Sequence, residues 1–204
     1  MMLTLLRRQN VSKNNAIRAI TRFNHTGSAV TDQDLIHRVD LRVGKIVHIE
    51  AHSEAQHLFI EQVDLNTEST EAMPNPRTIV SGLAPYMSMD SILNRKVIVV
   101  SNLKPSKFRG VLSQGMLLAA SSNDNKTVKL LSPPEESVIG ERVALEGVNW
   151  QGLVDPVLKP KQKVFEQVAA SFKTNIDGIA TYKGIILKTS AGPITCDIKD
   201  AQIS

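Results

Sequence analysis

Cysteine is almost absent: Cys196 stands alone in 204 residues, so no disulfide can close within the chain, the state a reducing compartment produces. No apolar run approaches the roughly twenty residues that span a bilayer, and no membrane association is expected. Nor is there a glycine-rich phosphate cradle or a Gly-x-Ser-x-Gly elbow, the short signatures of nucleotide hydrolysis and serine-based acyl transfer. His48, His52 and His57 lie close in sequence, but structural zinc takes four ligands, commonly thiolates, and no cysteine is near them. Glu135-Glu136 follows Pro133-Pro134 and reads as a solvated turn. No catalytic residue, metal or cofactor is therefore expected.

Acid is missing from two stretches. The first thirty residues hold Arg7, Arg8, Lys13, Arg18 and Arg22 without one Asp or Glu, which leaves nineteen basic against twenty acidic side chains in the rest. The formal charge of +4 thus belongs to that segment, and the overall balance is no argument for a nucleic-acid partner. Leu3, Leu6, Ala16, Ile17 and Ile20 fall at helical spacing with arginines on the other side, which is the composition of a mitochondrial transit peptide. Residues 1–30 are read as such a leader to the matrix. A basic tail on a cytoplasmic protein is the alternative.

The second acid-free stretch runs from Ser91 to Asn123 and carries Arg95, Lys96, Lys104, Lys107 and Arg109. The apolar runs Val97–Val100 and Met116–Ala120 read as buried strands on either side of a Lys-Pro-Ser-Lys-Phe-Arg-Gly loop. Cations held on a rigid scaffold suit a phosphate backbone, because binding releases the counterions condensed there. Arg109 is the most pointed of them, since its planar fork grips a phosphate through two hydrogen bonds or stacks on an exposed base. A solvated turn is the competing explanation for these charges.

Elsewhere, Leu41–Ile49 alternates as a half-buried strand in which Gly44 permits a bend or bulge. Strands are also expected at Leu58–Leu65, Arg77–Leu83, Lys96–Val100, Thr127–Leu131 and Gly140–Leu145, with one helix over Met87–Leu93. Five or so short strands and one helix make a small barrel. Val164, Phe165, Val168 and Phe172 recur at helical spacing near the C-terminus.

The run Asn102-Leu103-Lys104-Pro105-Ser106-Lys107-Phe108-Arg109-Gly110-Val111-Leu112-Ser113-Gln114-Gly115-Met116 resembles the signature of the EMAP-type tRNA-binding domain. That family includes endothelial monocyte-activating polypeptide II, the yeast tRNA-binding synthetase cofactor and C-terminal appendages of some methionyl- and tyrosyl-tRNA synthetases. Arg77–Leu83 is similar to its arginine-threonine, valine-serine-glycine strand. Leu158–Glu166 and Ala180–Gly184 are similar to motifs of its C-terminal extension, with Phe165 where a Trp is usual. His52–His57 departs from the family by lacking a Pro and an acid.

The resemblance implies an all-β dominated fold: an OB-fold five-stranded barrel over residues 31–148, with an α+β extension over 149–204 packed on it as a monomeric pseudo-dimer. It implies a non-catalytic protein that binds folded tRNA by shape and phosphate contacts and assists an aminoacyl-tRNA synthetase in trans. The residues expected at the RNA are Lys104, Lys107 and Arg109, with Asn102, Ser113, Gln114, Met116 and Ser81 as conditional additions, Arg95 and Lys96 extending the charge, and Lys159, Lys161 and Lys163 as further candidates for it. Met116 has an equally good reading as core. The rival function is an OB-fold interaction module or signalling fragment that does not depend on RNA.

Overall fold

The computed structural model describes residues 30–31, 33–68, 70–71, 74–148 and 154–204. The leader expected over 1–30 lies outside the described residues except for Val30, and so does the start of the expected extension, residues 149–153.

Alternation of apolar side chains organises the first sheet, whose strands are β1 (Leu41–Ala51), β2 (Phe59–Asp64), β3 (Arg77–Ser81) and β4 (Lys96–Val100). Helix α1 (Met89–Ile92) precedes β4. A hairpin of β5 (Ser106–Phe108) and β6 (Val111–Ser113) follows, then β7 (Met116–Leu117), β8 (Ala119–Ser121), β9 (Val128–Leu130) and β10 (Ala144–Leu145). The C-terminal part adds α2 (Val164–Ala169), β11 (Phe172–Thr174), β12 (Ala180–Tyr182), β13 (Ile185–Thr189), β14 (Gly192–Pro193) and β15 (Gln202–Ile203). Strands β3-β2-β1-β4-β7 form a nearly closed antiparallel barrel sheet. A second, half-barrel sheet runs β10-β13-β12-β11-β15-β8-β9, with β14 beside β13.

Strand β4 explains why its sequence is apolar without alternation. Val97 and Val99 point into the barrel with Ile46, Val63 and Ile79, while Ile98 and Val100 point the other way, into a core shared with Phe172, Tyr182 and Ile203 of the extension. A strand buried on both faces has no use for polar positions. Leu117 and Ala119 likewise face the barrel, and Leu118 and Ala120 the second core. The run expected as one strand is therefore two: β7 pairs with β4, and after Leu118 β8 passes to β9 and β15.

Gly44 serves packing rather than bending. A Cβ there would lie 2.7 Å from a Val63 methyl and 3.0 Å from both Leu65 and Val99. The bulge in β1 comes later, between Ile46 and His48, and reverses which side chains face inward. Before it Ile46 lies in the barrel core, and after it Ile49 packs on that core. The expected strand at Gly140–Leu145 is shorter than its pattern: Arg142 bridges Arg42 on β1, and only Ala144–Leu145 forms a strand, against β13. The helical spacing near the C-terminus ends early as well, since Phe172 opens β11.

Candidate nucleic-acid interface

The Lys-Pro-Ser-Lys-Phe-Arg-Gly segment is not a loop but most of a β-hairpin. Phe108 pairs with Val111 across a two-residue turn at Arg109-Gly110, where φ is 47° and 90°. Positive φ at both central positions marks a type I′ turn, whose twist matches that of the strands it joins. Glycine takes this conformation without strain, and Arg109 is held in it by the ladder on either side. The guanidinium is thus carried at the tip of an ordered ribbon, exposed to solvent.

Ser113 and Gln114 fasten the hairpin to the barrel. The Ser113 hydroxyl accepts from the Val80 N–H at 3.0 Å, and the Gln114 side-chain carbonyl accepts from the Thr78 N–H at 3.2 Å. The Gln114 N–H returns a bond to the Thr78 carbonyl at 2.8 Å. Two side chains thereby satisfy the edge of β3 where no full strand ladder reaches it.

Asn102 is the other anchor. Its amide donates to the carbonyls of Arg38 and Asp155, both at 2.8 Å, and its oxygen accepts from the Asp40 N–H at 3.0 Å. The Asn102 carbonyl also accepts from the Leu158 N–H at 2.7 Å, so one residue joins the end of β4 to both flanking segments. Asn102, Ser113 and Gln114 are all buried. The bonded polar atoms of Asn102 and Ser113 and the side-chain oxygen of Gln114 serve the scaffold, and RNA contacts through them would require breaking these bonds.

The cations separate into two groups. Lys104, Lys107 and Arg109 are exposed, and none has an ion-pair partner among the described residues. Lys107 points away from Ser106 and Phe108 by the alternation of β5, so the three charges surround the hairpin rather than share one face. Arg95 and Lys96 sit at the opposite end of β4, roughly 17–20 Å along the strand from Ser101. Arg95 is bonded to the Ser132 hydroxyl at 2.6 Å, and Lys96 reaches the Glu135 carbonyl and its carboxylate, the latter at 3.7 Å. Both therefore lie apart from the hairpin cations. Lys159 and Lys161 lie nearer: with Lys104 they line one open cavity of about 460 Å³ beside Pro160. The bridge between Leu103 and Leu158 brings these segments together.

Between the hairpin and the segment after β3 lies a second cavity, of about 370 Å³, lined by Ser81, Leu83, Tyr86, Lys104, Phe108 and Met116 among others. Behind Ser81 stands a group that sequence reading missed. Glu61 shares the inward face of β2 with Phe59 and Val63 and is 0% exposed, its carboxylate hydrogen-bonded by the Ser81 hydroxyl. Burial raises the Glu61 pKa to about 7, although the Ser81 bond pulls it back down. Unfolded, the group titrates near 4.5, so between these values the folded chain holds a proton that the unfolded chain has released. Stability from this group is then present at low pH and lost as pH rises towards about 7. Glu61→Gln is expected to stabilise the protein near pH 8 by on the order of 2 kcal/mol and to flatten its pH dependence. Urea midpoints taken near pH 5 and near pH 8 read this directly, and an unchanged pH dependence in the variant would overturn it.

A nearly closed five-strand barrel with a cation-bearing hairpin mounted on its edge defines an OB-like module of the nucleic-acid-binding class. The chain belongs to the tRNA-binding domain family: the family model "Putative tRNA binding domain" matches residues 41–142. It is 43% identical over 169 residues to the cytoplasmic tyrosine–tRNA ligase of Gallus gallus, an alignment covering 82% of this chain and 31% of the ligase. It is also 40% identical over 149 residues to the aminoacyl tRNA synthase complex-interacting multifunctional protein 1 of Cricetulus griseus, covering 73% of this chain and 39% of that one. The chain therefore spans about a third of the length of the curated relatives it matches. The crystal structure of the C-terminal domain of Plasmodium vivax p43 superposes with a TM-score of 0.75 at 29% identity, over 83% of this chain and 98% of that domain.

Proposed function

We propose that this protein is a non-catalytic tRNA-binding factor that grips folded tRNA through phosphate contacts and serves an aminoacyl-tRNA synthetase in trans. One observation carries the reading: Lys107 and Arg109 on the hairpin, and Lys104 just before it, stand without carboxylate partners among the described residues, and the hairpin's anchors are internal to the fold. Cations committed to internal ion pairs gain little from a phosphate, whereas free ones release counterions on binding. RNA helices hide base identity in a deep, narrow groove, so a rigid array of cations reads shape. A modest RNA affinity suffices for such a factor, because docking beside a synthetase raises the effective concentration of its tRNA.

The acid-free composition of residues 1–30 supports work in the mitochondrial matrix. The monomeric state is supported by the extension, which covers the second apolar face of the barrel with residues of the same chain. Crosslinking in the native cell followed by sequencing of the bound RNA tests function and compartment together. Mitochondrial tRNAs are the expected catch; cytosolic tRNAs alone would overturn the compartment, and no tRNA enrichment would overturn the function.

A further inference from the structure

Six aromatic side chains lie among the described residues, and only Phe108 and Tyr86 are strongly exposed, at 47% and 40%. Both line the cavity of about 370 Å³ between the hairpin and the segment after β3. A scattered exposed aromatic needs no explanation, but two that meet at one concave site do. The volume lies within the range of about 300–1,000 Å³ usual for small-molecule sites.

The chemistry of the walls narrows the occupant. Leu83 and Leu117 form an apolar floor, which would hold a phosphate poorly, while the Lys104 ammonium at the margin suits one. Flat apolar matter with an anion attached beside it is the description of a nucleotide, its base inward and its phosphate outward. Ser81 adds one directed polar group. Its proton is given to Glu61, so the oxygen is left to accept, which matches an N–H on a base edge. Lys104 stands at the margin and Arg109 at the tip of the adjoining hairpin, along which the strand leading to and from such a base would pass.

Building on the proposed RNA binding, we propose that this cavity receives one unpaired nucleobase of the bound RNA, stacked against Phe108 and Tyr86 with its phosphate at Lys104. Recognition is then not by phosphate spacing alone: an RNA offering an unstacked base is preferred over a continuous duplex. Stacking on aromatic side chains tolerates any base, which keeps the binding largely independent of sequence.

The test compares affinities of the full chain for folded tRNA and for a fully paired RNA duplex as salt is raised. Phe108→Ala and Tyr86→Ala are each expected to weaken tRNA binding about tenfold, leave duplex binding unchanged and keep the wild-type salt slope, because no phosphate contact is lost. Phe108→Tyr is expected to restore tRNA affinity, which separates stacking from any effect on the hairpin fold. If the wild-type chain binds tRNA and both alanine variants bind it equally well, the cavity assignment falls and the phosphate-gripping function stands. Equal losses for tRNA and duplex would also overturn it. If the wild-type chain binds neither RNA, the reading beneath it fails as well.

Discussion

Replacing Lys104, Lys107 and Arg109 together with alanine is expected to lower tRNA affinity on the order of a hundredfold near physiological salt. Each phosphate contact contributes about 0.7–0.9 to the slope of log affinity against log salt. Referred to 1 M salt, that is about a factor of five per contact at ~0.15 M, and three contacts multiply. The slope itself is expected to flatten by about two to three, which is the more telling number because a folding defect would not produce it. Arg95→Ala with Lys96→Ala is the matched control: two cations are lost from the same acid-free stretch, but at the far end of β4 and already engaged by Ser132 and Glu135. Binding unchanged in the triple variant, or reduced as much in the control, would remove the hairpin from the RNA interface. Fluorescence anisotropy with total tRNA over a salt series decides between these outcomes.

The second large effect concerns stability. Asn102→Leu keeps the size of the side chain but leaves the Asp40 N–H and the carbonyls of Arg38 and Asp155 without their partner. Leaving a buried backbone group unsatisfied costs about 1–3 kcal/mol, and with Asp40 deeply buried and the other two half-buried the sum is about 3 kcal/mol. A fall in urea midpoint at constant m-value is the expected signature. A loss below about 1 kcal/mol would mean that water takes over the bonds and that Asn102 is no anchor. In RNA titrations under folding conditions the variant is expected to keep the wild-type salt slope, since a scaffold residue adds no phosphate contact.

These residues also show where sequence reading succeeds and where it stops. Strand β4 was legible to the residue, because a continuous β-branched run bounded by turn residues has few other uses. Strand β1 was legible from its alternation, although it runs on to Ala51 past a bulge that no pattern marks. The hairpin was not legible. Its strands are three residues each, too short for a period, and Arg-Gly is not among the usual type I′ turn pairs. The roles of Asn102, Ser113 and Gln114 were hidden for another reason: a polar residue beside a cationic segment reads the same whether it faces RNA or a neighbouring backbone. Glu61 escaped because a carboxylate on the inward face of a barrel contradicts the rule by which that face is recognised. The name OB-fold came from the resemblance, since short strands alone suit several barrels.

The two-sided burial of β4 bears on how portable this RNA grip is. The family model ends at residue 142, before the strands from β11 onward that cover Leu41, Val43, Ile98 and Val100. Lifted out at that boundary, the barrel would carry a naked apolar flank and seek a second copy or any other greasy surface to hide it. The unit that can be transplanted, fused or inherited as a free-standing RNA handle is therefore the barrel together with its cover, and the tail is as much a part of the binding module as the hairpin proposed to meet the RNA.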